Sequence, residues 1–278
     1  MKPSRFEYER PADLAGAIAL NCREDLAVKI LAGGQSLVPM LNFRLAQPDM
    51  LVDITRIAEL KRVDVNDDSI TVGACVTHAD FEDGRVPDVT GGALRRVAHG
   101  IAYRAVRTRG TIGGSLAHAD PSADWSSSLA AIGADVILRG PAGERRVAIE
   151  HFITGVFEVS LQPGEIVEAV RIPRLSGNAR FGYYKICRKP GELAQAIGAI
   201  LHDPDRSVFR AVFGATGSTP IVVTDAASLF DGNARVAGSA FDSRAAARVL
   251  IAAGMTDRFD NQIHVVALKR AIDRANLA

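Results

Sequence analysis

Gly110, Gly113 and Gly114 stand beside the hydroxyls of Thr108, Thr111 and Ser115 in the stretch from Arg107 to Asp124, RTRGTIGGSLAHADPSAD, which closes on Asp120, Pro121 and Asp124. Glycines at that density free the backbone and let it approach a ligand closely. Successive main-chain N–H groups then form a concave site for an anion. Phosphate is the natural guest, and no ordinary helix or strand is expected in the stretch. A second stretch of the same character, Leu31 to Leu37 (LAGGQSL), follows the apolar residues Ala27, Val28 and Ile30 and opens a predicted helix. An anion there would also meet the positive end of a helix dipole. Two such turns in one chain predict a ligand with more than one phosphate.

Other chemistries lack their residues. The chain has no G-x-G-x-x-G, no G-x-x-x-x-G-K-[ST], no H-E-x-x-H and no clustered His/Cys set, so neither a Rossmann site, a P-loop nor a metal centre is predicted. Ser36 follows Gly34 and Gln35 without the closing glycine of a nucleophile elbow. Cys22, Cys75 and Cys187 stand alone and read as small buried thiols in a reducing compartment. A net charge of +1 gives no footprint for nucleic acid. No apolar run approaches the ~18 residues of a membrane span and no signal peptide is readable, so a cytoplasmic address is expected. An apolar fraction of 47% with 23% charged residues describes a globular protein with a sizeable core. No catalytic residue and no metal ligand stands out, and the chemistry is expected to come from a bound cofactor or a partner.

The elements that must position these turns follow from periodicity. Phe6 and Tyr8 begin a short strand, Ala12 to Asn21 is a helix with Asp13 near its start, and Val28 to Leu31 and Leu51 to Ile54 are buried strands. Lys61 to Val65 and Ile70 to Gly73 form a hairpin around Asn66, Asp67 and Asp68, and Thr77 begins a helix. Gly91 to His99 and Trp125 to Ile132 read as helices, Val136 to Leu138 and Arg145 to Ile149 as a hairpin, and Glu165 to Ile172 as a strand. Leu175 to Arg180 reads as a linker. Beyond it come strands at Phe181 to Cys187, Ala194 to Leu201 and Ser207 to Ala215, then helices at Ala226 to Phe230, Ser243 to Ala253 and Asn261 to Asn276. Sheet first and helices after is an α+β pattern. The expected division is 1–55 and 56–175 for two ligand-binding subdomains and 176–278 for a C-terminal domain.

Two segments carry a family resemblance. Ala32 to Ile54, AGGQSLVPMLNFRLAQPDMLVDI, and Gly110 to Asp124, GTIGGSLAHADPSAD, resemble the FAD-binding segments of the flavoprotein (medium) subunit of molybdenum-containing hydroxylases, the xanthine dehydrogenase and carbon monoxide dehydrogenase family. The likeness continues through Gly164 to Pro173 and Tyr184 to Ala194 and covers essentially the whole chain. It implies an α+β protein: a PCMH-type (vanillyl-alcohol-oxidase-like) FAD-binding domain of two α/β subdomains, followed by a small C-terminal domain of antiparallel sheet and helices.

The resemblance also implies a site. Ala32, Gly33, Gly34, Gln35, Ser36 and Leu37 would wrap the FAD diphosphate with main-chain amides, and Gly110, Thr111, Gly113, Gly114 and Ser115 would complete the phosphate and ribityl contacts. Asp124 matches an acid that accepts from sugar hydroxyls, although an N-cap for the next helix would explain it too. Ile101, Ala117 and Val167 match apolar lining positions and equally suit a core. Lys185 matches a lysine near the isoalloxazine, where a cation would offset charge developing on reduction; a solvated lysine at a strand end is the alternative. His118 and Asp120 read as structural.

By resemblance the partners are a large subunit with molybdopterin and a small subunit with two [2Fe-2S] clusters, in a dimer of heterotrimers. Two other readings stay open: a stand-alone FAD-dependent oxidase or reductase, and a non-enzymatic nucleotide-binding assembly module. The chain departs from the family pattern at Thr108, where asparagine is usual, and at Leu193, where an aromatic is usual.

Overall fold

The computed structural model describes residues 2–230 and 241–276. Each of its three main sheets comes from one continuous piece of chain. The first is parallel, in the order β1-β3-β2, from β1 (Glu7–Glu9), β2 (Val28–Leu31) and β3 (Met50–Asp53). Helix α1 (Leu14–Asn21) makes the first crossover, its N-cap Asp13 accepting from the Gly16 amide at 2.8 Å, and α2 (Leu37–Asn42) makes the second. Every residue of β3 is buried, as the central strand of a covered parallel sheet must be.

The second sheet is antiparallel. It is built from β4 (Val63–Val65), β5 (Ser69–Gly73), β6 (Asp135–Gly140), β7 (Gly143–Ala148) and β10 (Ile166–Pro173), in the order β4-β5-β10-β6-β7. Between its strands run α3 (His78–Glu82), α4 (Ala93–His99), α5 (Arg104–Arg107), α6 (Ile112–His118), α7 (Asp124–Ile132), α8 (Ile149–Phe152) and the small hairpin of β8 (Ile153–Gly155) and β9 (Glu158–Val159). The third sheet, also antiparallel, orders β11 (Arg180–Ile186), β12 (Ala196–Asp203), β13 (Val208–Gly214) and β14 (Ile221–Val223). Helices α9 (Ser243–Ala252) and α10 (Arg258–Asn276) follow, with Leu268 and Ile272 of α10 fully buried. Residues 231–240 and 277–278 of the expected C-terminal domain lie outside the described residues.

All nine residues of α7 are buried. One apolar core runs through this helix from Val72 and Val170 of the second sheet to Ala199 and Val212 of the third. The first residue of α7 is Asp124, which is thereby held where the second and third sheets meet.

Three expectations change. The stretch from Arg107 to Asp124 does contain a regular helix, α6, for reasons that lie in its neighbours. Ala226 to Phe230 forms only a single 3-10 turn, Ala226–Leu229, and β14, the β8–β9 hairpin and α5 add elements too short to announce themselves by periodicity. Of the cysteines, Cys75 alone is a buried thiol; Cys22 is exposed and Cys187 half-buried. Among the described residues no helix is long and apolar enough to cross a membrane.

Candidate functional site

The first glycine turn leaves β2 and enters α2. Gly34 sits at φ +72, a conformation that favours glycine, and the turn directs its amides outward. Among the described residues the main-chain N–H groups of Gly33, Gly34, Gln35 and Ser36 donate no hydrogen bond. The Ser36 side chain occupies the N-cap position of α2 without making a cap bond. A run of unsatisfied donors on one turn is an anion nest. With six residues, α2 adds little dipole; the free donors are the feature that matters.

The second segment is a helix for a packing reason. Thr111 caps α6, its Oγ1 accepting from the Gly114 amide at 3.1 Å. A Cβ on Gly113 would overlap Ala74, coming 2.8 Å from its Cα, and one on Gly114 would lie 2.8 Å from Thr111 Oγ1. Neither glycine has positive φ, so they serve close approach rather than unusual backbone geometry. The amides of Ile112 and Gly113 donate to Val76 and Ala74, and that of Ser115 to Thr111. The segment is therefore a wall already satisfied by its own scaffold.

The two turns converge. A Cβ on Gly33 would fall inside the Arg109 carbonyl and 2.8 Å from Gly110 Cα, while one on Gly114 would sit 3.3 Å from Ala32 Cβ. A cleft of about 380 Å³ is lined by Ala32, Gly33, Gly34, Gln35 and Arg109, and a second of about 620 Å³ by Gly33, Arg109 and Thr111 together with Arg56 and Lys61. Arg107 anchors the approach: it is buried, pairs with Glu82 at 2.7 and 2.8 Å, and donates to the carbonyls of Ile101 and Ala102. That bidentate pair holds the Glu82 carboxyl at about 2. Thr108, the departure from asparagine, turns back to donate to Ala105 at 2.8 Å.

Asp124 and Lys185 form a separate cluster. Asp124 is the first residue of α7 rather than its cap, which is Ala123. Its carboxylate accepts from Tyr183 Oη at 2.6 Å and lies 2.9 Å from Lys185 Nζ, which also donates to the Gly100 carbonyl at 2.7 Å. Burial pushes the Asp124 carboxyl up, with Lys185 and Tyr183 opposing it; burial and the neighbouring carboxylate push the Tyr183 hydroxyl up. Lys185 is thus not a solvated strand-end lysine. Ile101, beside Gly100, is half-buried, Val167 is a core residue of β10, and Ala117 is exposed on α6. None of these five lines either cleft. Tyr183 was missed from sequence, yet it is two residues before Lys185 on a strand and so shares its face.

His78 supports the second segment from beneath. Its main-chain N–H donates to the Gly110 carbonyl at 2.9 Å, and its Nδ1 accepts from Trp125 Nε1 at 2.9 Å. Burial, with Arg107 nearby, pulls the imidazole down to about 4. Between pH 6.5 and about 4 the unfolded chain carries a proton here that the folded chain lacks, so stability falls as pH drops through that window. The expected loss is about 3 kcal/mol at pH 4 relative to neutrality. Denaturation followed by the fluorescence of Trp125, the single tryptophan, measures it. The acid slope should shrink by that amount in His78→Gln, whose amide oxygen can keep the Trp125 bond.

A parallel sheet ending in a turn of free amides, docked on an antiparallel sheet through a glycine-led helix, is an α+β arrangement that fits an FAD-binding domain. Residues 4–175 match the family model described as the FAD binding domain in molybdopterin dehydrogenase. The chain belongs to that family, the FAD-binding components of molybdopterin-dependent oxidoreductases. It is 34% identical over 225 residues to the caffeine dehydrogenase subunit beta of Pseudomonas sp. (strain CBB1), covering 80% of this chain and 76% of that one. It is 32% identical over 288 aligned positions to the carbon monoxide dehydrogenase medium chain of Afipia carboxidovorans, covering 99% and 98%. Among solved structures, reconstituted CO dehydrogenase from Oligotropha carboxidovorans superposes with a TM-score of 0.88 at 29% identity, over 100% of this chain and 99% of that one. Quinoline 2-oxidoreductase from Pseudomonas putida 86 gives 0.85 at 29% identity over the same shares.

Proposed function

We propose that this chain is the electron-transfer subunit of a molybdenum hydroxylase, working in the cytoplasm in a dimer of heterotrimers. A large subunit would hold molybdopterin and hydroxylate the substrate, and a small subunit would relay electrons through two [2Fe-2S] clusters. When bound, FAD supplies a carrier that takes up those electrons and hands them to an external acceptor. The observation that supports this best is the run of free N–H groups at Gly33, Gly34, Gln35 and Ser36, on a turn whose Gly33 is pressed against Arg109 and Gly110. Such a nest neutralises a diphosphate without a lysine.

The residues then divide the work. The amides from Gly33 to Ser36 bind the diphosphate, with Ala32 and Leu37 setting the ends of the turn. Gly110, Thr111, Gly113, Gly114 and Ser115 form the facing wall and offer hydroxyls. Ile101 and Ala117 contribute apolar surface, and Val167 backs the site from the core of β10. Asp124 accepts from sugar hydroxyls and fixes Lys185, whose charge stands at the redox-active end. No residue of this site is assigned to substrate oxidation.

The isolated chain, reconstituted with FAD, is expected to bind one flavin and to oxidise no hydroxylase substrate. Flavin absorbance and a turnover assay without partners test both halves. Substrate oxidation by the chain alone, or absence of bound flavin, would reject the proposal.

A further inference from the structure

An exposed aromatic sits beside the Asp124–Lys185 cluster on a loop that is unusually well tied down. Tyr103 is 56% exposed. The three residues before it are clamped: Gly100 through its carbonyl by Lys185, and Ile101 and Ala102 through theirs by Arg107. Ala102 is held at φ +40, a strained conformation for a residue with a Cβ. The exposed ring is thereby presented by a fixed backbone.

Its other neighbour is Gly191, at φ +89. A Cβ there would lie 2.5, 2.7 and 2.9 Å from Cε1, Cζ and Cδ1 of Tyr103. The ring therefore rests on bare backbone of the loop after β11, the same strand that carries Lys185. Two residues on, Leu193 is 67% exposed. A rigid ring and an aliphatic chain, both uncovered, flank the end of the site marked by Lys185.

We propose that the Tyr103 ring is the surface on which the flavin ring system of bound FAD rests, with Leu193 beside it as an aliphatic edge. This rests on the FAD reading above and adds a cofactor contact to it. Stacking on a fixed aromatic adds affinity at little entropic cost, because the ring is already held.

The test uses the full chain reconstituted with FAD, reading flavin fluorescence and dissociation constants for FAD and for ADP. A tyrosine in face contact quenches flavin emission, whereas phenylalanine and alanine do not. The unmutated chain is expected to quench strongly. Tyr103→Phe should restore emission with FAD affinity within about twofold, and Tyr103→Ala should restore emission and weaken FAD roughly tenfold. Gly191→Ala, which displaces the ring, should follow Tyr103→Ala, and ADP affinity should stay constant throughout. Quenching and affinity unchanged in Tyr103→Ala, or an equal loss of ADP and FAD affinity, would overturn the assignment while leaving the FAD reading intact. Failure of the unmutated chain to bind FAD would overturn both.

Discussion

Alanine at position 33 is expected to weaken FAD binding by a factor of ~100 or more and to lower the melting temperature by roughly 3 to 10 °C. The added Cβ has no flexible side chain to push aside; it meets the Arg109 carbonyl and Gly110 Cα. Either the first turn moves away from the second or the second leaves its scaffold at Ala74 and Val76. Overpacking of that kind costs about 1–3 kcal/mol. Binding suffers more, because misdirecting two or more amides that meet a charged diphosphate forfeits a factor of ~100 or greater. Two comparisons isolate the cause. Gly34→Ala introduces strain at φ +72, but its nearest neighbours are the side chains of Val38 and Leu31, so the loss should be smaller. Gly143→Ala is strained at φ +108 with nothing within 4 Å and should leave FAD binding unchanged. Flavin titration with calorimetric melting reads both effects, and unchanged binding in Gly33→Ala would mean the two turns do not form one site.

Lys185→Met is expected to cost about 3–5 kcal/mol of stability, because it leaves a buried carboxylate without its cation. Asp124 would keep only the Tyr183 bond. The Lys185→Met, Asp124→Leu double variant should recover much of that loss, since no uncompensated charge remains. The pH dependence has a definite sign. Burial already raises the Asp124 carboxyl above its ordinary 3.8, and loss of the lysine raises it further. Above that ordinary value the unfolded chain has released a proton that the folded variant retains, so the single variant loses stability as pH rises toward neutrality. Urea denaturation of the variant and the unmutated chain at several pH values measures this as the difference between them, in which the His78 contribution cancels; a difference that does not change with pH would show that Asp124 does not depend on the pair.

The sequence made the elements legible where one physical signal dominated. The strand, glycine turn and helix order of residues 28–42, the Asp13 and Thr77 caps and the hairpin around Asn66 could all be read locally. Two glycine turns predicted one ligand with more than one phosphate, but nothing in Arg109 or Gly33 alone says that one backbone presses on the other. The second glycine segment misled because glycines kept for close packing look the same as glycines kept for positive φ. Gly113 is needed by Ala74, a residue far away in sequence. An N-cap role for Asp124 stayed open as the alternative to a ligand-binding acid because a carboxylate before a helix often is a cap; its burial depends on the third sheet packing against α7. The Tyr183–Lys185 spacing was visible, but its partner could be recognised only once α7 met β11.

The most direct measurement is a crystal structure of the chain loaded with FAD. The diphosphate should lie within hydrogen-bonding distance of the amides of Gly33, Gly34, Gln35 and Ser36, with the segment from Gly110 to Ser115 forming the opposite wall. A flavin bound elsewhere, with those four amides facing solvent, would contradict the account.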